Sequence, residues 1–271
     1  MLLEPVSARD DLELRDKDAA APKDLSRGDD LKKEVSDLLD RLTGLQNVFY
    51  ADGRHSLLIV LQGRDAAGKD GVVRTVIGAF NPAGVRVTSF KVPSPLELAH
   101  DYLWRVHQVM PEKGMTSVFN RSHYEDVLVV RVHNIVPKPV WSKRYKQIND
   151  FEQMLSENGT VILKFFLHVS RDEQAVRLRD RVEDETKNWK FKAGDLEERK
   201  LWDDYTAAYR DVLKKTSTKW APWYLVPADS NKARNYLIAK TIVGALESLD
   251  LQYPEPKADL KQYLKDLKQR P

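Results

Sequence analysis

The residues best suited to chemistry form one short run, Gly63-Arg64-Asp65-Ala66-Ala67-Gly68-Lys69-Asp70-Gly71. The run opens with the G-x-x-x-x-G-K frame of a phosphate-binding loop, and it stands between an apolar stretch at 56–61 and a helical pattern. In such a loop, glycines let successive backbone N–H groups turn toward one anion while the lysine reaches the outer phosphates. We therefore predict that residues 63–71 bind phosphate. A glycine-rich turn that carries a surface lysine is the structural alternative.

Two acidic side chains depart from the usual form of this loop. Asp70 stands where a Ser or Thr hydroxyl normally binds Mg²⁺, and Asp65 lies inside the loop itself. A carboxylate beside phosphates repels them unless a cation or a hydrogen-bond donor compensates its charge. Asp65 is therefore a candidate Mg²⁺ ligand or an orienter of the attacking phosphate, and capping of the following helix is the alternative.

The composition narrows the class of protein. The 271 residues include 44 basic and 41 acidic side chains, a net charge of +3, which is not the global signature of a nucleic-acid binder. The mean hydropathy is −0.53, and no apolar run approaches the roughly 20 residues that cross a bilayer. The sequence contains no cysteine, and its first residues lack an apolar signal core. We expect a cytoplasmic protein without a membrane or nucleic-acid partner.

The elements that must position the loop alternate between strands and helices. Continuous apolar runs predict strands at 56–61, 85–90, 116–119, 161–169 and 223–226. Helical periodicity, caps and breakers predict helices at 29–50, from the loop to about 80, and at 94–110, 138–157 and 231–249. The stretch 126–133 is ambiguous between strand and helix. Such alternation predicts an α/β fold with a mainly parallel sheet.

Several further motifs resemble the second polyphosphate kinase family. Besides the loop, they are DYLWRVHQ (101–108), FNRSHYEDVLVVRV (119–132), WKF (189–191), LWDDY (201–205) and STKWAPWYLVPA (217–228). The resemblance covers roughly 31–253, and several long motifs in order are far more specific than the loop alone. It implies a three-layer P-loop kinase-like parallel sheet flanked by helices, with a helical lid.

The resemblance also implies a chemistry and its partners. It implies inorganic polyphosphate as phosphoryl donor or acceptor, adenine nucleotides (or guanine nucleotides as the alternative), and Mg²⁺, with Mn²⁺ as the alternative ion. Family members form dimers and tetramers, so we expect a homo-oligomer. For the domains we expect a loosely ordered arm at 1–28, a kinase domain at 29–254 with its lid at about 171–216, and a tail at 255–271.

The family's second motif falls on Asn120, Arg121 and Ser122. Many members carry Asp where this chain has Asn120, and the Asn form followed by SHYEDV resembles the subgroup that phosphorylates both AMP and ADP. We expect Asn120 and Ser122 to bind nucleotide, together with His123 and Glu125. A neutral amide binds Mg²⁺ less strongly than a carboxylate, which leaves more of the coordination to Asp65, substrate oxygens and water.

Four arginines are candidates for neutralising the charge that develops during phosphoryl transfer. Arg121 follows a strand end, where α/β folds place ligands, and its alternative is a structural salt bridge. Arg131 lies in an apolar run, so a bound phosphate and an internal acidic partner are equally suitable. Arg177 and Arg181 project from one helix face. The resemblance places this pair in the lid, whereas a solvated charge run is the alternative.

We therefore predict an enzyme that transfers phosphoryl groups reversibly between polyphosphate and AMP or ADP. Asp65, Lys69, Arg121, Arg177 and Arg181 are its candidate catalytic residues. The alternatives are an ATP-dependent nucleoside monophosphate kinase and a non-catalytic protein that binds polyphosphate or nucleotide.

Overall fold

One parallel sheet of five strands organises the fold. The computed structural model describes residues 3–7, 12–256 and 260–268. The strands are β1 (Ser56–Gly63), β2 (Val85–Ser89), β3 (Thr116–Asn120), β4 (Thr160–His168) and β5 (Trp223–Pro227). Their spatial order is β2-β3-β1-β4-β5, and each neighbouring pair is parallel. The predicted α/β class and all predicted strands are confirmed.

Helices connect the strands and cover the sheet. In chain order the α-helices are α1 (Gly28–Asp52), α2 (Lys69–Thr75), α3 (Pro95–Leu98), α4 (Trp104–His107), α5 (Val129–Val132), α6 (Lys138–Glu157), α7 (Arg171–Glu183), α8 (Gly194–Lys200), α9 (Trp202–Thr216), α10 (Asn231–Glu247) and α11 (Leu260–Lys268). Within the described part of the chain, none of them combines the length and apolar character needed to span a membrane.

The prediction of one continuous helix at 94–110 is wrong, because the helix is interrupted in its middle. Two short helices, α3 and α4, replace it, with Asp101 between them. The Asp101 side chain accepts a hydrogen bond from the backbone N–H of Leu103 at 2.9 Å. Such a local bond offers the backbone an alternative to continuing a helix. The ambiguous stretch 126–133 is helical, since it contains the end of a 3₁₀ turn and then α5.

Two apolar cores cover the two faces of the sheet. On β1, Leu58 and Val60 belong to one core, and Leu57, Ile59 and Leu61 belong to the other. The first core includes buried side chains of α6 and α9, and the second includes those of α1, α2 and α10. Burial on both faces explains why β1 reads as one uninterrupted apolar run.

The chain before α1 packs on the sheet. Val6 and Leu14 are buried in the first core, and Ala19 is fully buried. The backbone N–H of Val6 donates to the carbonyl of Trp223 in β5 at 2.8 Å. The prediction of a loosely ordered arm at 1–28 did not include this packing. Residues 1–2 and 8–11 of that segment lie outside the described part of the chain.

A buried charge network ties β4 and α6 to the segment after β3. Lys164 and Glu152 are fully buried, and their Nζ and Oε2 atoms lie 2.6 Å apart. Tyr124 accepts a hydrogen bond from Lys164 and donates one to Glu152, and His123 contacts the same carboxylate at 3.2 Å. Burial opposes the charge on Glu152, yet Lys164 and His123 hold its pKa below the usual value.

We predict that Glu152→Gln strongly destabilises the fold, because it leaves the buried Lys164 ammonium without its counter-charge. The expected loss in the free energy of unfolding is about 3–5 kcal/mol, measured by denaturant titration. The matched control is Asp150→Asn, which removes an exposed ion pair with Lys146 from the same helix. Equal, small losses in the two variants would contradict a structural role for the buried pair.

Candidate active site

The carboxyl ends of β1 and β3 bring the two predicted motifs together. Leu61 of β1 is in register with Asn120 of β3, so the loop that follows Gly63 and the segment that follows Asn120 start side by side. This edge is where parallel sheets bind their ligands. The backbone N–H of Arg121 donates to the Leu61 carbonyl at 3.0 Å and fixes the second motif against the first.

The phosphate loop has the curled backbone that its glycines predict. Gly68 adopts a left-handed conformation with φ 99°, and Ala66 shares the left-handed region at φ 61°. Lys69 folds back over the loop, and its Nζ donates to the carbonyls of Gly63 at 2.6 Å and Arg64 at 3.0 Å. Burial, together with the nearby Arg121 charge, lowers the pKa of Lys69 to about 8.

The acidic side chain inside the loop is paired with the arginine of the second motif. Arg121 Nη2 lies 2.5 Å from Asp65 Oδ1, and Arg121 Nη1 lies 3.5 Å from Glu125 Oε2. Burial opposes the charge of Arg121, but Glu125 and Asp65 raise its pKa. The Asp65 carboxylate accepts its hydrogen bond from Arg121 Nη2. The loop therefore contains a carboxylate whose charge is compensated from the neighbouring strand.

Asn120 and Glu125 also contact the region around the loop. The Asn120 amide donates to Asp70 Oδ1 at 2.8 Å, and Gln62 Nε2 donates to Glu125 Oε1 at 3.2 Å. Gln62 also donates to the buried hydroxyl of Ser122 at 3.2 Å. Sequence reasoning missed Gln62, for which the only signal was its position directly before the loop.

The structure places His123 away from any ligand surface. Its ring is fully buried, and Nε2 binds Glu152 in the charge network described above. The expected contact between His123 and nucleotide therefore has no exposed surface on which to form. The ring instead helps to fix the segment that follows β3.

Two arginines predicted to bind phosphate have internal partners. Arg64 is buried, and its guanidinium carbon lies 3.9 Å above the Trp202 ring of α9. Its Nη2 donates to the Thr206 hydroxyl at 2.5 Å. Arg131 pairs with Asp211 at 2.6 Å, which is the internal acidic partner that the sequence left open.

The two candidate arginines of α7 contact the phosphate loop or α8. Arg177 Nη1 donates to the Ala66 carbonyl at 3.0 Å, and Nη2 donates to the Ala228 carbonyl at 2.7 Å. One turn earlier on α7, Gln174 donates to the Asp65 carbonyl at 3.0 Å. Arg181 pairs with Asp195 at the start of α8. The loop backbone is thus held by α7 on one side, a role that the sequence did not reveal for Gln174.

The oxygen ligands near the loop suit Mg²⁺. Asp65, Asp70 and Glu125 supply hard carboxylate oxygens, the ligand type that this ion prefers. The described residues contain no group of three or more His, Cys, Asp or Glu side chains able to hold a metal ion by themselves. Mg²⁺ commonly binds one or two carboxylates together with substrate phosphates. The donor set fits an ion that is shared between the protein and a phosphate ligand.

Comparisons with known proteins agree with this geometry. The family model described as Polyphosphate kinase 2 (PPK2) matches residues 25–254. An AMP/ADP-polyphosphate phosphotransferase of Meiothermus ruber is 57% identical over 217 residues, covering 80% of this chain and 81% of that protein. An ADP-polyphosphate phosphotransferase of Rhodopseudomonas palustris is 47% identical over 244 residues, covering 86% and 84%. The crystal structure of Polyphosphate Kinase 2 from Arthrobacter aurescens TC1 matches with a TM-score of 0.93 and 38% identity, covering 99% of this chain and 96% of that chain.

We predict that Asp65 and Arg121 are energetically coupled in the ligand-free protein, since each compensates the other's charge. A double-mutant cycle of Asp65→Asn and Arg121→Gln, measured by denaturant unfolding, should give a coupling of about 0.5–3 kcal/mol. In the control cycle Arg86→Gln replaces the arginine variant, because Arg86 is exposed near the opposite end of the sheet. Strict additivity in both cycles would show that the pair is not formed in solution.

Proposed function

This chain belongs to the polyphosphate kinase 2 family, and on that premise we propose that it transfers phosphoryl groups reversibly between inorganic polyphosphate and adenine nucleotides. Both AMP and ADP are the proposed acceptors. This choice is supported by the Asn120-Arg121-Ser122 motif and by the similarity to the AMP/ADP-polyphosphate phosphotransferase of Meiothermus ruber. Mg²⁺ is the proposed metal ion.

One observation carries the proposal: the phosphate loop contains a carboxylate that an arginine from the next strand neutralises. Asp65 Oδ1 and Arg121 Nη2 lie 2.5 Å apart, so each charge has a partner within the site. A polyphosphate chain in the loop brings both negative charge and associated divalent cations. Arg121 can then bind phosphate oxygens with its planar fork, while Asp65 faces the cation. The loop therefore suits a metal-bound polyanion better than a bare phosphate.

Phosphoryl transfer needs donor and acceptor held in line and the developing charge neutralised. In this proposal Lys69 and the loop amides hold the end of the polyphosphate chain. The buried Lys69 ammonium then has a phosphate oxygen as its anionic partner. Arg121 belongs to the second motif and reaches Asp65 of the loop, so its two Nη groups can contact donor and acceptor phosphates. Bound Mg²⁺ would add further neutralisation of the phosphoryl oxygens.

The acceptor nucleotide is proposed to bind on the side of Asn120 and Glu125. Both side chains lie at the end of β3, and their present partners are Asp70, Gln62 and Arg121. Segment 171–216 is the proposed lid. Closure of the lid would bring Arg181 over the reacting phosphates, whereas Arg177 supports the loop from its base through the Ala66 carbonyl.

The assay that tests the proposed function omits ATP. AMP or ADP is incubated with long-chain polyphosphate and Mg²⁺, and nucleotide products are separated by chromatography. We expect ADP and ATP from AMP, ATP from ADP, and no product when the metal is chelated. The absence of product, together with phosphorylation of AMP by ATP, would assign the protein to the nucleoside monophosphate kinases instead.

Two substitutions test the roles of the loop side chains. We predict that Asp65→Asn and Lys69→Ala each lower kcat by at least about 100-fold, because each removes a charge that faces the reacting phosphates. Matched controls are Asp150→Asn and Lys146→Ala, which alter an exposed ion pair on α6. Near-normal kcat in either loop variant would remove that side chain from the mechanism.

A further inference from the structure

A second buried cation lies directly against the phosphate loop. Arg234 is 2% exposed on α10. Its Nη1 donates to Asn231 Oδ1 at 2.6 Å, and its Nη2 donates to Asn235 Oδ1 at 2.9 Å. Both acceptors are neutral amides, and no carboxylate of the described residues forms an ion pair with this guanidinium. A buried guanidinium normally has an anionic partner, so Arg234 needs an explanation.

The guanidinium occupies space that two loop glycines leave open. A Cβ atom added to Gly68 would collide with Arg234 Nη1, and one added to Gly71 would lie 2.9 Å from Nη2. Arg177 Nη1 is 3.6 Å from the same position on Gly68. Two guanidinium groups therefore meet at the point where the loop turns into α2.

The charge on Arg234 persists at neutral pH. Burial, and then the like charges of Arg177 and Arg74, lower its pKa to about 10. Of the two guanidinium groups behind the loop, Arg177 is paired with Glu173 at 2.8 Å, whereas Arg234 has no ion pair among the described residues, so its charge is the uncompensated one. An anion held in front of the loop would be the missing counter-charge.

We propose that Arg234 is a positioning residue for the polyphosphate chain: it fixes the backbone at Gly68 and Gly71 and contributes a permanent positive charge to the anion site. The inference rests on the proposed function, in which the loop holds polyphosphate rather than nucleotide. Arg234 does not touch the reacting atoms in this role. It acts through the loop, so its effect concerns binding of the polyanion.

The first test replaces the cation by a side chain of similar length without charge. We expect Arg234→Met to raise KM for polyphosphate at least about 10-fold, with KM for ADP changed less than about twofold and kcat within about threefold. Calorimetric titration with medium-chain sodium polyphosphate, without nucleotide, should show the same weakening. The control is Lys232→Met, which removes an equal charge from the exposed surface of the same helix and should leave both KM values unchanged.

A second variant perturbs the Arg234 guanidinium from the side of the phosphate loop. Gly71→Ala places a methyl group against the Arg234 fork, and Gly71 has no left-handed φ that would forbid alanine. We expect a smaller rise in KM for polyphosphate, and no further rise when Gly71→Ala is added to Arg234→Met. If Arg234→Met fails to fold, Gly71→Ala in the otherwise wild-type protein still tests the proposal, because an unchanged KM for polyphosphate in that variant would contradict it. An equal rise from Gly71→Ala in both backgrounds would show that the alanine acts independently of Arg234 and would contradict the proposal.

The conservative variant separates charge from packing. A lysine at 234 would be desolvated and would face Arg177 of α7 and Arg74 of α2 beside the neutral Asn231 and Asn235, so its pKa would be lowered. Arg234→Lys should therefore approach the polyphosphate KM of the wild type at mildly acidic pH and resemble Arg234→Met at alkaline pH. If the Lys and Met variants had the same KM for polyphosphate at every pH, the effect of Arg234 would come from packing alone and its proposed charge contribution would be wrong.

The outcomes also distinguish this inference from the proposed function. If the wild-type protein makes no nucleotide from polyphosphate, the proposed function fails. If the wild type is active and Arg234→Met binds polyphosphate normally, only the role of Arg234 fails. A selective rise in KM for ADP would show that the loop holds the nucleotide, and it would overturn the inference.

Discussion

A negative charge inside a phosphate-binding loop must be compensated, and the geometry of this protein follows from that constraint. Asp65 lies where bound phosphates would repel its carboxylate, and Arg121, which follows the adjacent strand β3, compensates that negative charge. The pair exists because β1 and β3 are neighbours whose ends are in register at Leu61 and Asn120. Sheet order thus decides which cation reaches the loop. The same pair prepares the site for its substrate, because a metal-bound polyanion offers each member a new partner.

Buried polar networks keep this pair in place from three sides. Gln174 and Arg177 of α7 bind loop carbonyls, and Arg64 attaches the loop to Trp202 of α9. Beneath the second motif, the Lys164–Glu152 pair fixes the segment that continues from Arg121. These contacts are hydrogen bonds, an ion pair and a stacked guanidinium, and such directional contacts hold one geometry more strictly than apolar packing alone. Together they hold the phosphate loop in its curled shape.

The sequence predicts the local parts of this design and misses the distant contacts. Apolar runs gave all five strands, and motif spacing identified the loop, because both signals lie within a few neighbouring residues. No spacing rule indicates that Arg234 would pack on Gly68, since 166 positions and four strands separate them. The burial of His123 was missed for the same reason, since its partner Glu152 lies 29 positions away. The break at Asp101 has a local cause instead, because its side chain accepts from Leu103 two residues later, and helical periodicity does not show that this bond replaces a continued helix.

The exchange of partners at Asp65 is the central claim, and a crystal structure with Mg²⁺ and a short polyphosphate bound tests it most directly. The distance between Asp65 Oδ1 and Arg121 Nη2 is the quantity to measure. We predict that it lengthens well beyond hydrogen-bonding range, with Asp65 facing the metal ion and Arg121 on phosphate oxygens. An intact Asp65–Arg121 pair, or an Asp65 turned outward from an occupied loop, would contradict the account.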